Sequence, residues 1–102
     1  MPVKSVTLSF PASDSGDVVN YKLYIEEAPN DVTFSSQSWE LGNVTSVDLS
    51  TLEGMTTKDG IYNIGVTAID DAQNESSMSL MNDVPLDFAQ PNPPGQLSIS
   101  RL

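Results

Sequence analysis

The sequence contains no cysteine and no histidine. Because cysteine is absent, the chain can form neither a disulfide nor a thiolate metal site, and its stability must come from packing. Because histidine is absent, the serines lack the usual general base, and the commonest transition-metal ligand is missing. A paired-carboxylate glycosidase needs two acids across a cleft, but most acids here lie in predicted turns. We therefore expect a protein that is not an enzyme and that needs no cofactor.

Basic residues are also scarce, since four of them face fourteen acidic residues for a formal charge of −10. Such an acidic domain repels phosphate backbones and anionic lipid alike. No apolar run approaches the roughly 20 residues that a membrane-spanning helix needs, and residues 1–4 lack the apolar segment of a signal peptide. We expect a soluble chain that binds no nucleic acid and inserts into no membrane.

The dominant pattern is a period-two alternation of apolar and polar residues, interrupted by turn-forming residues. With 102 residues, the chain is long enough for one domain. Segments 34–41 and 78–88 are predicted at sheet edges, the second because it contains Pro85. The pattern predicts an all-β sandwich of two antiparallel sheets. The alternating segments are residues 6–10, 18–26, 34–41, 46–49, 61–70 and 78–88, and the predicted core is Phe10, Tyr21, Leu23, Ile25, Leu49, Tyr62, Ile64 and Val66.

Two segments carry a resemblance to a known family. Residues 59–76, DGIYNIGVTAIDDAQNES, resemble the penultimate strand and following loop of bacterial fibronectin type III domains, and residues 21–25, YKLYI, resemble their central strand. The resemblance implies an immunoglobulin-like sandwich of six to seven strands over residues 1–90. It also implies that the Tyr62 hydroxyl bonds to backbone near residues 52–55. Phe10 departs from the family, because many members carry a buried tryptophan there.

The family's first edge strand has no counterpart ahead of Val6. A matching sequence instead occupies residues 91–102, where a proline-rich lead precedes Leu97 and Ile99, which alternate with serines. We interpret these residues as a tail that resembles the first strand of a following module. Three explanations stay open: a fragment boundary out of register, a tail that folds back onto its own vacant edge, or strand donation by Leu97 and Ile99 to a second copy.

One loop is a weak candidate for calcium binding. Asp70, Asp71, Asn74 and Glu75 lie close together in sequence and offer the oxygen ligands that calcium prefers. The competing interpretation is that Asp and Asn stand there because they suit turns. The spacing matches no EF-hand loop, so the turn interpretation is preferred.

Two aromatic residues suggest a binding face. Tyr24 is predicted on the outward side of its strand, and with Trp39, the single tryptophan, it could stack against a sugar or a protein. The alternative is that Trp39 packs beneath its own segment, as large aromatic side chains usually do. The first interpretation predicts an exposed aromatic row, and the second a buried tryptophan.

The resemblance also carries the functional expectation. It implies a structural or protein-binding module, a spacer or adhesion domain within a tandem repeat, in an extracellular, periplasmic or cell-surface protein. Its partners would be neighbouring domains, another protein, or a second copy bound through the tail. The alternative function is a carbohydrate-binding or accessory module attached to a secreted enzyme.

Overall fold

The alternating segments form six strands in a computed structural model, which describes residues 5–55, 58–89, 94–95 and 97–100. A single 3-10 turn, Leu49–Thr51, follows the fourth strand and is capped by the Asp48 carboxylate. Within the described residues, no helix is long and apolar enough to cross a membrane. The strands are β1 (Thr7–Ser9), β2 (Val18–Glu27), β3 (Gln37–Gly42), β4 (Ser46–Asp48), β5 (Gly60–Asp70) and β6 (Ser79–Leu86).

The strands make two antiparallel sheets. Sheet A pairs β1 with β4, and sheet B has the order β3-β2-β5-β6. All of the ladders are antiparallel, and the longest runs between β2 and β5 from Val18 opposite Asp70 to Glu27 opposite Tyr62. The predicted β-sandwich is confirmed. The edge positions of β3 and of the proline-containing β6 are confirmed as well.

The core lies between the sheets and contains most of the predicted residues. Phe10 and Val66 are partly buried against this cluster, and Tyr21 is buried with its ring 5.1 Å from that of Phe10. The 3-10 turn contributes Leu49, and the segment after β6 contributes Phe88, whose backbone N–H donates to the Asp59 carboxylate at 2.7 Å. The buried cluster is Leu8, Leu23, Ile25, Leu49, Tyr62, Ile64, Leu86 and Phe88.

The two-residue alternation of apolar and polar side chains fails at one position of β2. The alternation of β2 places Val19 on the core side with Tyr21, but Val19 is nearly half exposed. The β2–β5 ladder pairs Val18 with Asp70 and Asn20 with Ile69, so Val19 is the extra residue of a β-bulge. A bulge takes one residue out of the two-residue period and re-aims its side chain.

The Tyr62 hydroxyl bonds to backbone upstream, but not where the sequence predicts. It donates to the carbonyl oxygen of Lys58 at 2.6 Å, rather than to residues 52–55. The Leu52 carbonyl already accepts a hydrogen bond from the Met55 N–H at 3.1 Å. Leu52 and Met55 instead place their side chains against the core, where both are partly buried.

Candidate functional site

The two sheets differ in width, and this difference leaves part of the core side uncovered. Sheet A has two strands and sheet B has four, so at about 4.8 Å between strands sheet A spans about half the width of sheet B. Within the described residues, β1 has β4 as its one partner, and its other edge is open. No strand of the described residues lies above the inner face of β5 and β6 beyond that edge.

A groove fills this uncovered region. One wall is the segment Leu8–Pro11, the floor is Ile64 and Val66, and the other wall is Ser79–Met81. We call the cavity defined by these residues the edge groove. Its volume is about 200 Å³. Since a water molecule takes about 30 Å³ of liquid, the groove is far larger than a packing defect.

The edge groove continues toward the turn before β2. A second cavity of about 490 Å³ shares Phe10, Pro11, Val66 and Ser79 with it. This extension is bordered by residues 12–14 and by the serines that precede β6. The apolar part and its polar extension together make an elongated channel beside β1, a shape suited to an extended polypeptide rather than to a compact ligand.

The backbone of β1 presents hydrogen-bonding groups to this channel. The Phe10 N–H donates to the Thr45 carbonyl at 2.9 Å, and the Val6 carbonyl accepts from the Leu49 N–H at 2.8 Å, so these residues face β4. Alternate residues of a strand point their N–H and C=O groups in opposite directions. Thr7 and Ser9 therefore direct their backbone groups toward the open edge.

Apolar side chains stand beside the open edge without cover. Leu80 is 57% exposed and Met81 is 48% exposed, although both belong to a strand of sheet B. Met81 is the ladder partner of Ile64, whose side chain lies in the core, so Met81 extends the apolar floor outward. Exposed apolar side chains beside an open strand edge are features of interaction sites.

The calcium candidates do not converge on a cation site. The Asp70 carboxylate accepts hydrogen bonds from the backbone N–H groups of Ala72 and Asn74, at 2.9 and 2.8 Å, and organises the turn. These hydrogen bonds, with that of the Asn74 side chain, hold the pKa of Asp70 below its usual value. Glu75 bonds elsewhere and Asp71 is exposed. The described residues contain no group of three acidic side chains able to hold a metal ion.

The expectation of an exposed face at Tyr24 is wrong. Tyr24 does lie on the outer face of sheet B, but it is only 1% exposed because the loop after β2 and the segment after β5 fold over it. The ring centroids of Phe34 and Tyr24 are 5.7 Å apart in a T-shaped arrangement, and the Lys22 ammonium lies 5.3 Å from the Tyr24 centroid. Its hydroxyl donates to the Glu75 carboxylate, which also accepts from Thr67 at 2.6 Å.

This outer-face network shifts two pKa values in opposite directions. Burial raises the pKa of Tyr24 to about 12, and the neighbouring Glu75 carboxylate adds to the rise. Burial also opposes ionisation of Glu75. Hydrogen bonds from Thr67 and Tyr24, with the charge of Lys22, outweigh that effect, so the pKa of Glu75 lies below its usual value. The network is stabilising structure in which the carboxylate acts as an acceptor.

Trp39 packs rather than forming a platform. It is partly buried against the core, opposite Leu23 in the β2–β3 ladder, and its indole N–H donates to the Glu53 carbonyl at 2.7 Å. This agrees with the interpretation in which the tryptophan lies beneath its own segment. All seven aromatic residues are described, and Phe34 alone is exposed.

The tail is described at residues 94–95 and 97–100, whereas its remaining residues lie outside the described part. Leu97 and Ile99 are 87% and 89% exposed, and the described tail residues take part in no strand. The structure thus contains an open strand edge and, separately, a short alternating apolar segment that covers nothing.

Among the described residues, the fold is a β-sandwich in which the open edge of β1 lies beside an apolar groove. Comparisons with protein-family models, curated proteins and solved structures found no match to this chain. The candidate site therefore depends on the geometry of the chain itself.

Proposed function

We propose that this domain is a non-catalytic protein-interaction module that binds an extended polypeptide segment in the edge groove. The bound segment pairs with β1 and becomes a further strand of sheet A. The observation that carries the proposal is the open edge of β1 beside the uncovered inner face of β5 and β6. This mode of binding is β-augmentation, in which main-chain hydrogen bonds supply affinity and side-chain pockets supply specificity.

The domain has residues for both the main-chain hydrogen bonds and the side-chain contacts of β-augmentation. Thr7 and Ser9 point backbone donors and acceptors at the groove. Ile64, Val66 and Met81 provide an apolar surface for alternate side chains of the ligand. A ligand strand with apolar residues on one face and polar residues on the other would bury the first and leave the second in water.

Carbohydrate binding, the alternative function, has weaker support. Sugar-binding surfaces use exposed aromatic rings for stacking, whereas here Tyr24 is buried and Trp39 is partly buried with its N–H bonded. Phe34 alone offers an exposed ring, and it stands edge-on to Tyr24. An absence of histidine and cysteine likewise favours binding over catalysis.

The biological setting follows from the family resemblance. We propose that the domain is a fibronectin type III-like module within a larger extracellular, periplasmic or cell-surface protein. The pairing of β1 with β4, the order β3-β2-β5-β6 and the tyrosine that bonds back from β5 support that proposal. In such a setting an open strand edge gives the module a connection to its neighbours.

The test is a peptide screen on the full chain with its own tail disabled by Leu97→Asp and Ile99→Asp. A random library of 12-residue peptides is selected against this protein, and each selected peptide is measured by calorimetry. The result expected is enrichment of peptides with alternating apolar residues. Their binding should be lost with Met81→Lys in the groove and retained with Ile61→Lys, a β5 residue 45% exposed and not part of the groove lining.

The proposal is overturned if no peptide binds, or if Met81→Lys and Ile61→Lys have equal effects. Titration with a panel of polysaccharides on the same protein examines the alternative. Saturable polysaccharide binding that is lost with Phe34→Ala would favour a carbohydrate module instead.

A further inference from the structure

We infer that residues 97–100 of a second copy of this chain form the strand that fills the edge groove. The inference rests on the proposed function and identifies the ligand. Each copy then offers one groove and one tail, and a tail from one copy completes sheet A of the next. Several independent features of the tail and the groove support this pairing.

The first feature is the pattern of the tail. Leu97 and Ile99 are exposed and alternate with Ser98 and Ser100, so an extended tail has one apolar and one hydroxyl-bearing face. The groove likewise has an apolar floor on the core side and solvent on the other. The tail therefore has the two-sided chemistry that the groove requires.

The second feature is the register that these faces dictate. Opposite residues of an antiparallel ladder place their side chains on the same face. With Ser98 opposite Ser9, Leu97 stands opposite Phe10 and Ile99 stands opposite Leu8. Both apolar tail residues then lie on the core side, and the outward-pointing backbone groups of Ser9 meet those of Ser98.

The third feature is direction. Along the groove, residues 8–14 pass residues 64–68 of β5 in ascending order and residues 81–76, at and just before the start of β6, in descending order. β1 therefore runs parallel to β5 and antiparallel to β6. A strand antiparallel to β1 must enter at the pole of Ser76, whereas the tail leaves at the opposite pole, after Phe88.

The length of the connection favours a second copy over the chain's own groove. The span of β6, Ser79–Leu86, is about 23 Å at about 3.3 Å per residue. The eight residue steps from Ala89 to Leu97 extend over at most about 27 Å. A tail that folds back must climb the length of β6 and reverse direction twice, and the length that remains for both reversals is about one residue. A copy stacked on the pole where the tail emerges needs no such return.

The fourth feature is charge. Arg101 is the only charged side chain after Asp87, so the tail carries no acidic side chain, whereas residues 1–87 carry all fourteen. Two acidic bodies repel each other, but the tail of one does not repel the body of the other. Because the donated and accepting surfaces differ, the contact is heterologous and head-to-tail, and it propagates into chains of copies.

The experiment separates donor from acceptor. The donor variant, Met81→Lys, keeps its tail but has a charged groove. The acceptor variant, Leu97→Asp with Ile99→Asp, keeps its groove but has a charged tail. Light scattering after size-exclusion chromatography is measured over a hundredfold range of concentration on the wild type, on each variant alone and on their equimolar mixture. Ser98→Thr with Ser100→Thr is the matched control, because it alters the tail but not its apolar face.

We expect the wild type and the control to increase in mass with concentration, each variant alone to stay monomeric, and the mixture to form a 1:1 heterodimer. A monomeric wild type, or a mixture that remains monomeric, overturns the inference. If the acceptor variant still binds selected peptides in that case, the proposed function survives and only the identity of the ligand is wrong. If it binds none, both fail.

Discussion

The two halves of sheet B both carry apolar residues on the inner face but have very different surroundings. Beneath sheet A, on the β2 side, Leu23 and Ile25 are buried, with Leu23 fully inaccessible. On the β6 side, Met81 is 48% exposed, and Val66 is only partly covered. Both halves carry apolar residues on the inner face, so what differs is the presence of a strand above them. In the proposed function, the β6 half is the part that a bound strand covers.

The largest effect on stability is expected from a substitution in the covered half of sheet B, the half that lies beneath sheet A. Leu23→Ala removes a fully buried side chain and should lower the free energy of unfolding by about 2–5 kcal/mol, because it leaves a cavity between the sheets. Met81→Ala in the open half should cost less than about 1 kcal/mol. Urea unfolding of the monomeric acceptor variant measures both. Equal costs would contradict the division into a covered and an open half.

A smaller effect is expected at the tyrosine that ties β5 to the preceding loop. Tyr62→Phe removes the hydrogen bond to the Lys58 carbonyl and should destabilise the domain by about 1 kcal/mol, since the group left behind is partly buried. The loss belongs to the covered half, so peptide binding in the edge groove should be unchanged. If Tyr62→Phe changes the free energy of unfolding by less than the error of the urea titration, this hydrogen bond does not stabilise the fold.

The architecture was predictable where a pattern depends on one strand alone. Alternation in Tyr21, Leu23 and Ile25 identified the inner face of β2, and Pro85 identified an edge strand, because both effects act within a few residues. The bulge at Val19 was not predictable, since nothing in its neighbours separates a bulged strand from a regular one. The acceptor of the Tyr62 hydroxyl depended on a loop whose path the sequence pattern does not specify.

The candidate site was only half predictable. The alternation of Leu97 and Ile99 with serines predicts a strand-forming tail from sequence alone, and this stays a prediction because the described tail residues form no strand. The groove could not be found in the same way, because it is assembled from β1, β5 and β6 and exists only where two sheets of unequal width meet. Likewise, the prediction that Tyr24 lies on the outer face is correct, but the prediction that it is exposed is wrong. The segments that cover its ring cannot be identified from the alternation of β2 alone.

The next effect concerns stability in acid and depends on the outer-face network of Tyr24, Thr67 and Glu75, which does not include the edge groove. The pKa of Glu75 is lowered in the folded state, so its stabilisation is present above the unfolded value of 4.5 and is lost as pH falls through the lower folded value. Glu75→Gln should therefore flatten the fall in melting temperature between pH 5 and 3. Asp48 and Asp70, whose pKa values are also lowered, should keep part of that fall.

The matched control for this change is Glu53→Gln, an exposed glutamate that accepts no side-chain hydrogen bond from Tyr24 or Thr67. Thermal melts monitored by circular dichroism across the pH series compare the two variants. The network account fails if both variants show the same pH dependence as the wild type.

The smallest effect is expected from calcium. Since the Asp70 carboxylate is engaged by backbone donors and Glu75 by Tyr24 and Thr67, adding millimolar calcium should leave the melting temperature unchanged. Magnesium at equal ionic strength controls for screening of the acidic surface. A rise specific to calcium would return the loop at residues 70–75 to consideration as a metal site.

Amide hydrogen exchange at β1, followed by NMR, tests the open edge most directly. In the monomeric acceptor variant, the N–H groups of Leu8 and Phe10 should be protected by β4, while those of Thr7 and Ser9 should exchange rapidly. In the wild type at high concentration, Thr7 and Ser9 should become protected as a strand is added. Protection of Thr7 and Ser9 in the monomer, or no change on association, would contradict the account.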